Sequence, residues 1–186
     1  MGASGAGTIL SMGLEKVLAK KKDAIVKDWF KLVARTYAPD TAQFIRSQKD
    51  SFSNPVGANL SNGLSGIFEQ LLTEPDRETI KSYLDPIIRI RAVQDFSPSQ
   101  ATAIILALKK VTRDHLKKEL SDSRTANALL QFESKIDSLC LFAFDLYMEC
   151  REKIYELKTN EERNKIYKAF ERAGLIAETS EGTSGL

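Results

Sequence analysis

Histidine and cysteine, on which much catalytic and metal chemistry depends, are scarce in this sequence. Among 186 residues there is one histidine, His115, and two cysteines, Cys140 and Cys150. One histidine cannot build a Ser-His-Asp triad or a multi-histidine metal site. The two cysteines lack metal-ligand spacing, and within one predicted helix they would lie about 15 Å apart, too far for a disulfide. We therefore expect no catalytic residues, no metal and no disulfide, and we interpret both cysteines as small apolar residues.

Strong net charge and long apolar runs are lacking as well. The 27 basic and 25 acidic side chains give a formal net charge of +2, which is no electrostatic footprint for nucleic acid. The basic run 20–22 is predicted to be a solvated helix face. No apolar run reaches the roughly 18 residues that span a bilayer, and the Gly-rich N-terminus has no signal-peptide pattern. We expect a cytoplasmic protein that neither binds nucleic acid nor inserts into a membrane.

Strand and hairpin signals are the third absence. Apolar residues do not alternate, and they recur instead at steps of three and four, which predicts helices. The fold class is therefore expected to be all-α, with one helical domain over 13–170, a flexible leader at 1–12 and a flexible tail at 171–186. Helices are predicted over these ranges: 14–37, 41–50, from 55 onward, 76–93, 97–120 and from 123 to about 170.

Two of these helices begin with clear capping signals. Asn54 precedes Pro55, and Ser97-Pro98-Ser99-Gln100 reads as a capping box with proline at the first helical position. Such detailed specification of the junction at 88–100 suggests that its geometry matters. Pro86 lies inside the fourth pattern and is predicted to kink or divide that helix.

Gly57, Gly63 and Gly66 are costly within the third helix, at about 1 kcal/mol each. They indicate either close approach of a neighbouring helix or room for a ligand. We predict a pocket near these glycines, opposite Phe96 and Tyr147. The candidate pocket or interface residues are Gly63, Phe96, Tyr147 and Arg151.

The junction also carries three charged side chains. Arg89 and Arg91 could bind an anion or pair with Asp95, and the ion pair is the favoured interpretation. Asp95 has no partner at a spacing that suggests acid–base catalysis, so we expect it to bond backbone N–H groups in the turn while Phe96 fills the core.

The last helix has a coiled-coil period. Its apolar residues average 3.5 residues per step, and beyond Arg151 the sequence becomes rich in charge, as expected of a linker that leaves the domain. The candidate dimer helix residues are Leu146, Cys150, Ile154 and Leu157.

His115 leaves one alternative open. Haem needs a single protein ligand, so His115 could serve a globin-type haem sensor. The charged neighbours of His115 favour an ordinary boundary position, and the leading expectation is a domain without a cofactor.

Four segments of the chain resemble the RsbRD-type N-terminal domain of RsbT co-antagonist proteins. They are Trp29 with Tyr37, the stretch 48–57 (QKDSFSNPVG), the stretch 88–100 (IRIRAVQDFSPSQ) and the stretch 144–156 (FDLYMECREKIYE). The resemblance covers about 14–165. It implies a globin-like helical fold without haem, homodimers, and a role as an input module of the stressosome, a bacterial stress-signalling complex.

The resemblance also implies that the final helix leads into a STAS domain, and this sequence contains no such domain. We therefore expect a non-enzymatic sensory or regulatory module, excised from a longer chain or free-standing. It is expected to dimerise through its first and last helices and to bind a regulatory protein partner or a small ligand. The haem-binding sensor remains the alternative.

Overall fold

The computed structural model describes residues 13–47, 54–74, 76–94 and 96–175, and every regular element among them is a helix. The predicted all-α class is therefore confirmed, whereas its globin-like character stays a prediction. The elements are α1 (13–20), α2 (Lys22–Ala34), α3 (Pro39–Ser47), α4 (Pro55–Leu71), α5 (Arg77–Val93), α6 (Pro98–His115), a 3-10 turn (Glu119–Ser121) and α7 (Ser123–Arg172). The predicted leader and residues 176–186 of the predicted tail lie outside the described residues.

The chain divides into two compact units. One ends at Met148 and the other begins at Glu149, so α7 passes through the boundary between them. In the second unit nearly all described side chains are exposed. The core belongs to the first unit.

The core of the first unit surrounds Trp29 of α2, which is fully buried. Its indole N–H donates to the carbonyl of Ile104 in α6 at 2.7 Å, so burying the ring leaves no polar atom unpaired. Burial of this aliphatic and aromatic set is the main force holding the helices together. Its large members include Leu18, Ile25, Phe68, Leu84, Ile88, Ile105, Leu108 and Ile136.

The predicted caps are confirmed. The side chain of Asn54 accepts from the N–H of Gly57 at 2.8 Å. The side chain of Ser97 accepts from the N–H of Gln100 at 3.3 Å, while the Gln100 side chain accepts from the N–H of Ser97 at 3.0 Å. Each cap therefore partners an N–H group in the first turn of its helix, which favours the starts of α4 and α6 at these positions.

The predicted first helix is interrupted at Lys21. There the chain turns between α1 and α2, and the Lys21 ammonium donates to the carbonyl of His115 and to the carboxylate of Glu119, both at 2.6 Å. Lys22 pairs with Glu69 of α4. The expectation that the basic run is merely a solvated face was wrong for these two residues. Lys21 supplies a cation at the C-terminus of α6, where the helix dipole favours it.

The glycines of α4 permit a close helix contact. A Cβ at Gly63 would lie 2.8 Å from the backbone oxygen of Tyr83, and one at Gly66 would lie 2.6 Å from the Tyr83 ring. Of the two interpretations left open by the sequence, the structure shows close approach of a neighbouring helix, α5, at Gly63 and Gly66, whereas a Cβ at Gly57 would meet Asn54. Pro86 does not divide α5, which continues from Arg77 to Val93.

A ladder of side-chain contacts holds α6 antiparallel to α7 within the first unit. Arg113 donates two hydrogen bonds to the carboxylate of Glu133, at 2.5 and 2.6 Å, and Lys109 forms an ion pair with Asp137 at 2.5 Å. Further along, the Cys140 thiol lies 3.8 Å from the carbonyl of Thr102. Residue numbers fall along one helix as they rise along the other, so this register carries the start of α6 toward Tyr147.

Candidate functional site

The α5–α6 junction is built around Phe96. Its ring packs edge-on against Tyr37, with centroids 5.4 Å apart, and the guanidinium carbon of Arg91 lies 3.9 Å above it. The hydroxyl of Tyr147 in α7 donates to the carbonyl of Phe96 at 2.6 Å. Tyr37, Arg91, Phe96 and Tyr147, here called the junction cluster, therefore connect α5, α6 and α7 at one point.

Arg91 is fully buried within this cluster. It donates to the hydroxyl of Thr36 at 3.0 Å and to the carbonyl of Gln100 at 2.9 Å, while its Nε has no partner. In the part of the chain that the structure describes, no carboxylate pairs with it. Burial lowers the pKa of Arg91, yet an arginine stays protonated in proteins. A buried cation is thus held by two rings and two neutral oxygens.

The sequence predicts that Arg89 and Arg91 of the junction bind an anion or pair with Asp95. Arg89 pairs with Asp85 one helical turn earlier, at 2.5 Å. Arg91 makes the contacts just described, and Asp95 lies outside the described residues. Because Asp95 is not described, the favoured ion pair with Asp95 stays a prediction.

The predicted pocket residues have different surroundings. Phe96 and Tyr147 are in contact through their hydrogen bond, whereas Gly63 lies against Ile87 and Tyr83 of α5. Arg151 belongs to the second unit, where its guanidinium donates to the hydroxyl of Tyr155 at 2.9 Å. The space beside Gly63 and Gly66 is filled by α5, so the proposed pocket there has no observation in its favour.

The predicted dimer helix residues fall into two groups. Leu146 is 2% exposed and lies in the core of the first unit, so it offers no free surface. In the second unit Cys150 is buried, Ile154 is half-buried and Leu157 is exposed. A dimer contact through Leu146 itself would require the core to open.

A different face of α7 is apolar and exposed. Leu141, Phe144 and Met148 are 70, 44 and 37% exposed and follow one another at steps of three and four residues. Leu106 of α6, which is 42% exposed, lies on the same helical stripe as Thr102 and Lys109, both of which contact α7. We call these four exposed residues (Leu106, Leu141, Phe144 and Met148) the outer face.

His115 makes a structural contact. Its Nε2 lies 3.0 Å from the carboxylate of Asp28 in α2, and the ring is half-buried. Hydrogen bonds from Lys31, which has the larger effect, and from His115 hold the pKa of Asp28 below its usual range. This contact joins α2 to the end of α6, and no observation favours haem ligation by His115.

Neither cysteine has the environment of a reactive thiol. Burial raises the pKa of Cys140, which disfavours the nucleophilic thiolate. Cys150 is 9% exposed. The described residues include no group of three or more His, Cys, Asp or Glu side chains that could hold a metal ion.

Sequence reasoning also missed the burial of Glu133. Glu133 is 5% exposed. Its carboxylate accepts hydrogen bonds from Arg113, and these raise the pKa of the Arg113 guanidinium. Both residues are separately compatible with a solvated helix face, so no local signal could have found the pair. Within the described part of the chain, no helix is long and apolar enough to cross a membrane.

Part of this chain is similar to a curated archaeal protein. An uncharacterized protein of Archaeoglobus fulgidus is 33% identical over 79 residues, which cover 42% of this chain and 48% of that protein. The chain thus spans about half the length of this curated relative. No solved structure matches the chain significantly.

The sequence model of the RsbT co-antagonist protein rsbRD N-terminal domain matches residues 23–161. This range includes α2 after its first residue, α3 to α6, the junction cluster and most of α7. The match extends past Met148 into residues of the second unit whose side chains are largely exposed. The chain therefore belongs to the family of RsbT co-antagonist protein rsbRD N-terminal domains.

Proposed function

We propose that this chain is a non-enzymatic input module of stressosome-type signalling that works as a homodimer and passes its signal to a regulatory protein partner through α7. The observation that carries the proposal is the outer face. Leu141, Phe144 and Met148 form an apolar stripe on a helix whose opposite stripe, including Leu146, is already packed in the core. Exposed apolar stripes of this kind mark association surfaces.

A second copy is the occupant we favour. Leu141, Met148 and Tyr155 are spaced by seven residues, the repeat that lets one helix pack along another. Tyr155, the next residue of this seven-residue repeat after Met148, is 56% exposed in the second unit. An isologous contact, in which the same face serves both copies, needs no other surface.

The junction cluster supports a role in transmitting a signal. Tyr147 bonds the backbone of the α5–α6 turn and stands next to Met148 of the outer face. A partner or ligand that binds more tightly to one arrangement of this turn would also favour the arrangement of α7 that goes with it. The size of this shift is set by the difference in binding free energy between the two arrangements. Regulation would then need no catalytic residue.

Light scattering tests the dimer. Leu141→Glu combined with Phe144→Glu places two charges on the outer face, and the expected mass falls from dimer to monomer with helicity unchanged. Phe44→Glu is the matched control, because Phe44 of α3 is also 44% exposed but lies off this face, and it should stay dimeric. A monomeric parent protein, or a double variant that is still dimeric, would contradict the proposal. Leu146→Glu is unsuitable because it would disrupt the core.

A further inference from the structure

A pocket of about 290 Å³ opens between the end of α4, the start of α5 and the middle of α7. It lies within the first unit and shares no residue with the junction cluster. Its apolar lining comes from Leu71, Ile80 and Leu139, which are buried, and from the ring of Phe142, which is half-buried. A concave apolar surface with a few polar groups at its edge is the usual form of a small-molecule site.

Arg77 stands at the edge of the pocket in an arrangement suited to an anion. Its guanidinium carbon lies 4.3 Å from the centre of the Phe142 ring, so the ring supports the flat face of the cation. Stacking on one face leaves the N–H groups in the guanidinium plane available, and that fork matches the two oxygens of a carboxylate. Arg77 makes no ion pair with another described residue.

Lys135 supplies a second positive charge on the opposite element. Its ammonium donates to the carbonyls of Leu71 at 3.1 Å and Thr73 at 3.2 Å, which holds it at the C-terminus of α4. The carboxylate of Glu15 lies 3.7 Å from it and does not line this pocket. The described lining therefore contains two cations, Arg77 and Lys135, and no acidic side chain.

We propose that this pocket binds a small amphipathic carboxylate, with its apolar chain against Leu71, Ile80 and Leu139 and its carboxylate on Arg77. The volume suits a ligand of about ten to fifteen non-hydrogen atoms, at the small end of ligand sites. The pocket touches α5 and α7, the helices that also meet at the junction cluster. The inference rests on the proposed function in one respect, namely that the ligand would be the signal of the input module.

Calorimetric titration of the full chain with octanoate tests the site. We expect saturable binding with one octanoate per chain, and binding of octanol, which has the same chain without the charge, that is at least about tenfold weaker. Arg77→Gln should weaken octanoate binding by about tenfold and leave octanol unchanged. Arg124→Gln removes the same charge at the exposed start of α7 and should bind octanoate like the parent protein.

A second variant blocks the pocket without touching its charges. Ser138 is exposed at the edge of the pocket, so Ser138→Trp should fold normally and abolish binding of both octanoate and octanol. Absence of saturable octanoate binding, equal affinity for octanol, or full binding by Arg77→Gln would each overturn the inference. Light scattering on the same samples separates the two proposals, because a dimer that binds no octanoate overturns the ligand and leaves the dimer standing.

Discussion

Arg91 is a buried cation whose described partners are aromatic rings and neutral oxygens. Desolvation of the charge destabilises the folded state, whereas the stack on Phe96 and two hydrogen bonds stabilise it. Both acceptors have other partners available, since the Thr36 hydroxyl also donates to Val33 and the Gln100 carbonyl lies within α6. An apolar replacement of similar size should therefore be tolerated better than a lysine.

We predict that Arg91→Met changes the free energy of unfolding by less than about 1 kcal/mol, because it removes a buried charge along with its bonds. Arg91→Lys should lower that free energy by about 2 kcal/mol, since a compact ammonium cannot stack and remains buried. Urea denaturation of both variants measures the difference. A lysine variant as stable as the methionine variant would contradict this account of the site.

Tyr147 contributes one well-placed hydroxyl to the same cluster. Tyr147→Phe keeps the buried ring and removes the 2.6 Å bond to the Phe96 carbonyl, so it should lower the free energy of unfolding by about 1 kcal/mol. Tyr155→Phe is the control on the same helix. The Tyr155 ring is exposed, and its hydroxyl accepts a hydrogen bond from the half-buried Arg151 one turn earlier, so we expect a loss below about 0.5 kcal/mol. Equal losses in thermal denaturation would rule out the structural link.

At the scale of elements, the close contact between α4 and α5 depends on Gly63 and Gly66, which have no side chains. The Gly63 backbone faces the Tyr83 carbonyl, which cannot rotate away as a side chain can. Overpacking at such a position outweighs the helix propensity that alanine gains.

Gly63→Ala is expected to lower the free energy of unfolding by about 2 kcal/mol, as measured by urea denaturation. Gly13→Ala provides the control, because a Cβ at Gly13 meets nothing within 4 Å. There alanine should leave stability unchanged or raise it by up to about 1 kcal/mol. If Gly63→Ala proved as stable as the parent protein, α4 and α5 would not be packed as described.

At the scale of the whole molecule, burial is concentrated in the unit that ends at Met148. Apolar residues Leu129, Phe132, Ile136, Leu139, Ala143 and Leu146 of α7 are buried, while almost every described side chain after Glu149 is exposed. Backbone hydrogen bonds in the two parts of α7 should therefore open with different free energies.

Hydrogen exchange read by mass spectrometry should show slow exchange for peptides in 128–147 and fast exchange for peptides in 156–170 at low protein concentration. If the dimer forms along α7, raising the concentration should slow exchange in the second range. Uniformly slow exchange at every dilution would mean that the later part of α7 is stabilised by contacts within one chain.

Local chemistry made the helices and their beginnings readable in the sequence. The caps at Asn54 and Ser97 depend on residues three positions apart, and the three-and-four spacing of apolar residues depends on one turn of one helix. The family was recognisable for a related reason, since segments such as 88–100 and 144–156 carry several specific residues in a short span.

Only the tertiary structure decided which long-range partners meet. Lys21 pairs with Glu119 and Arg113 pairs with Glu133, and Tyr83 packs against the two glycines of α4. These partners are far apart in the sequence, and no local pattern encodes such contacts. For the same reason the sequence could not tell which apolar stripe of α7 would be buried. Leu146 and Leu141 are both apolar and both fit a helical repeat, and packing against the other helices places the first in the core and leaves the second in solvent.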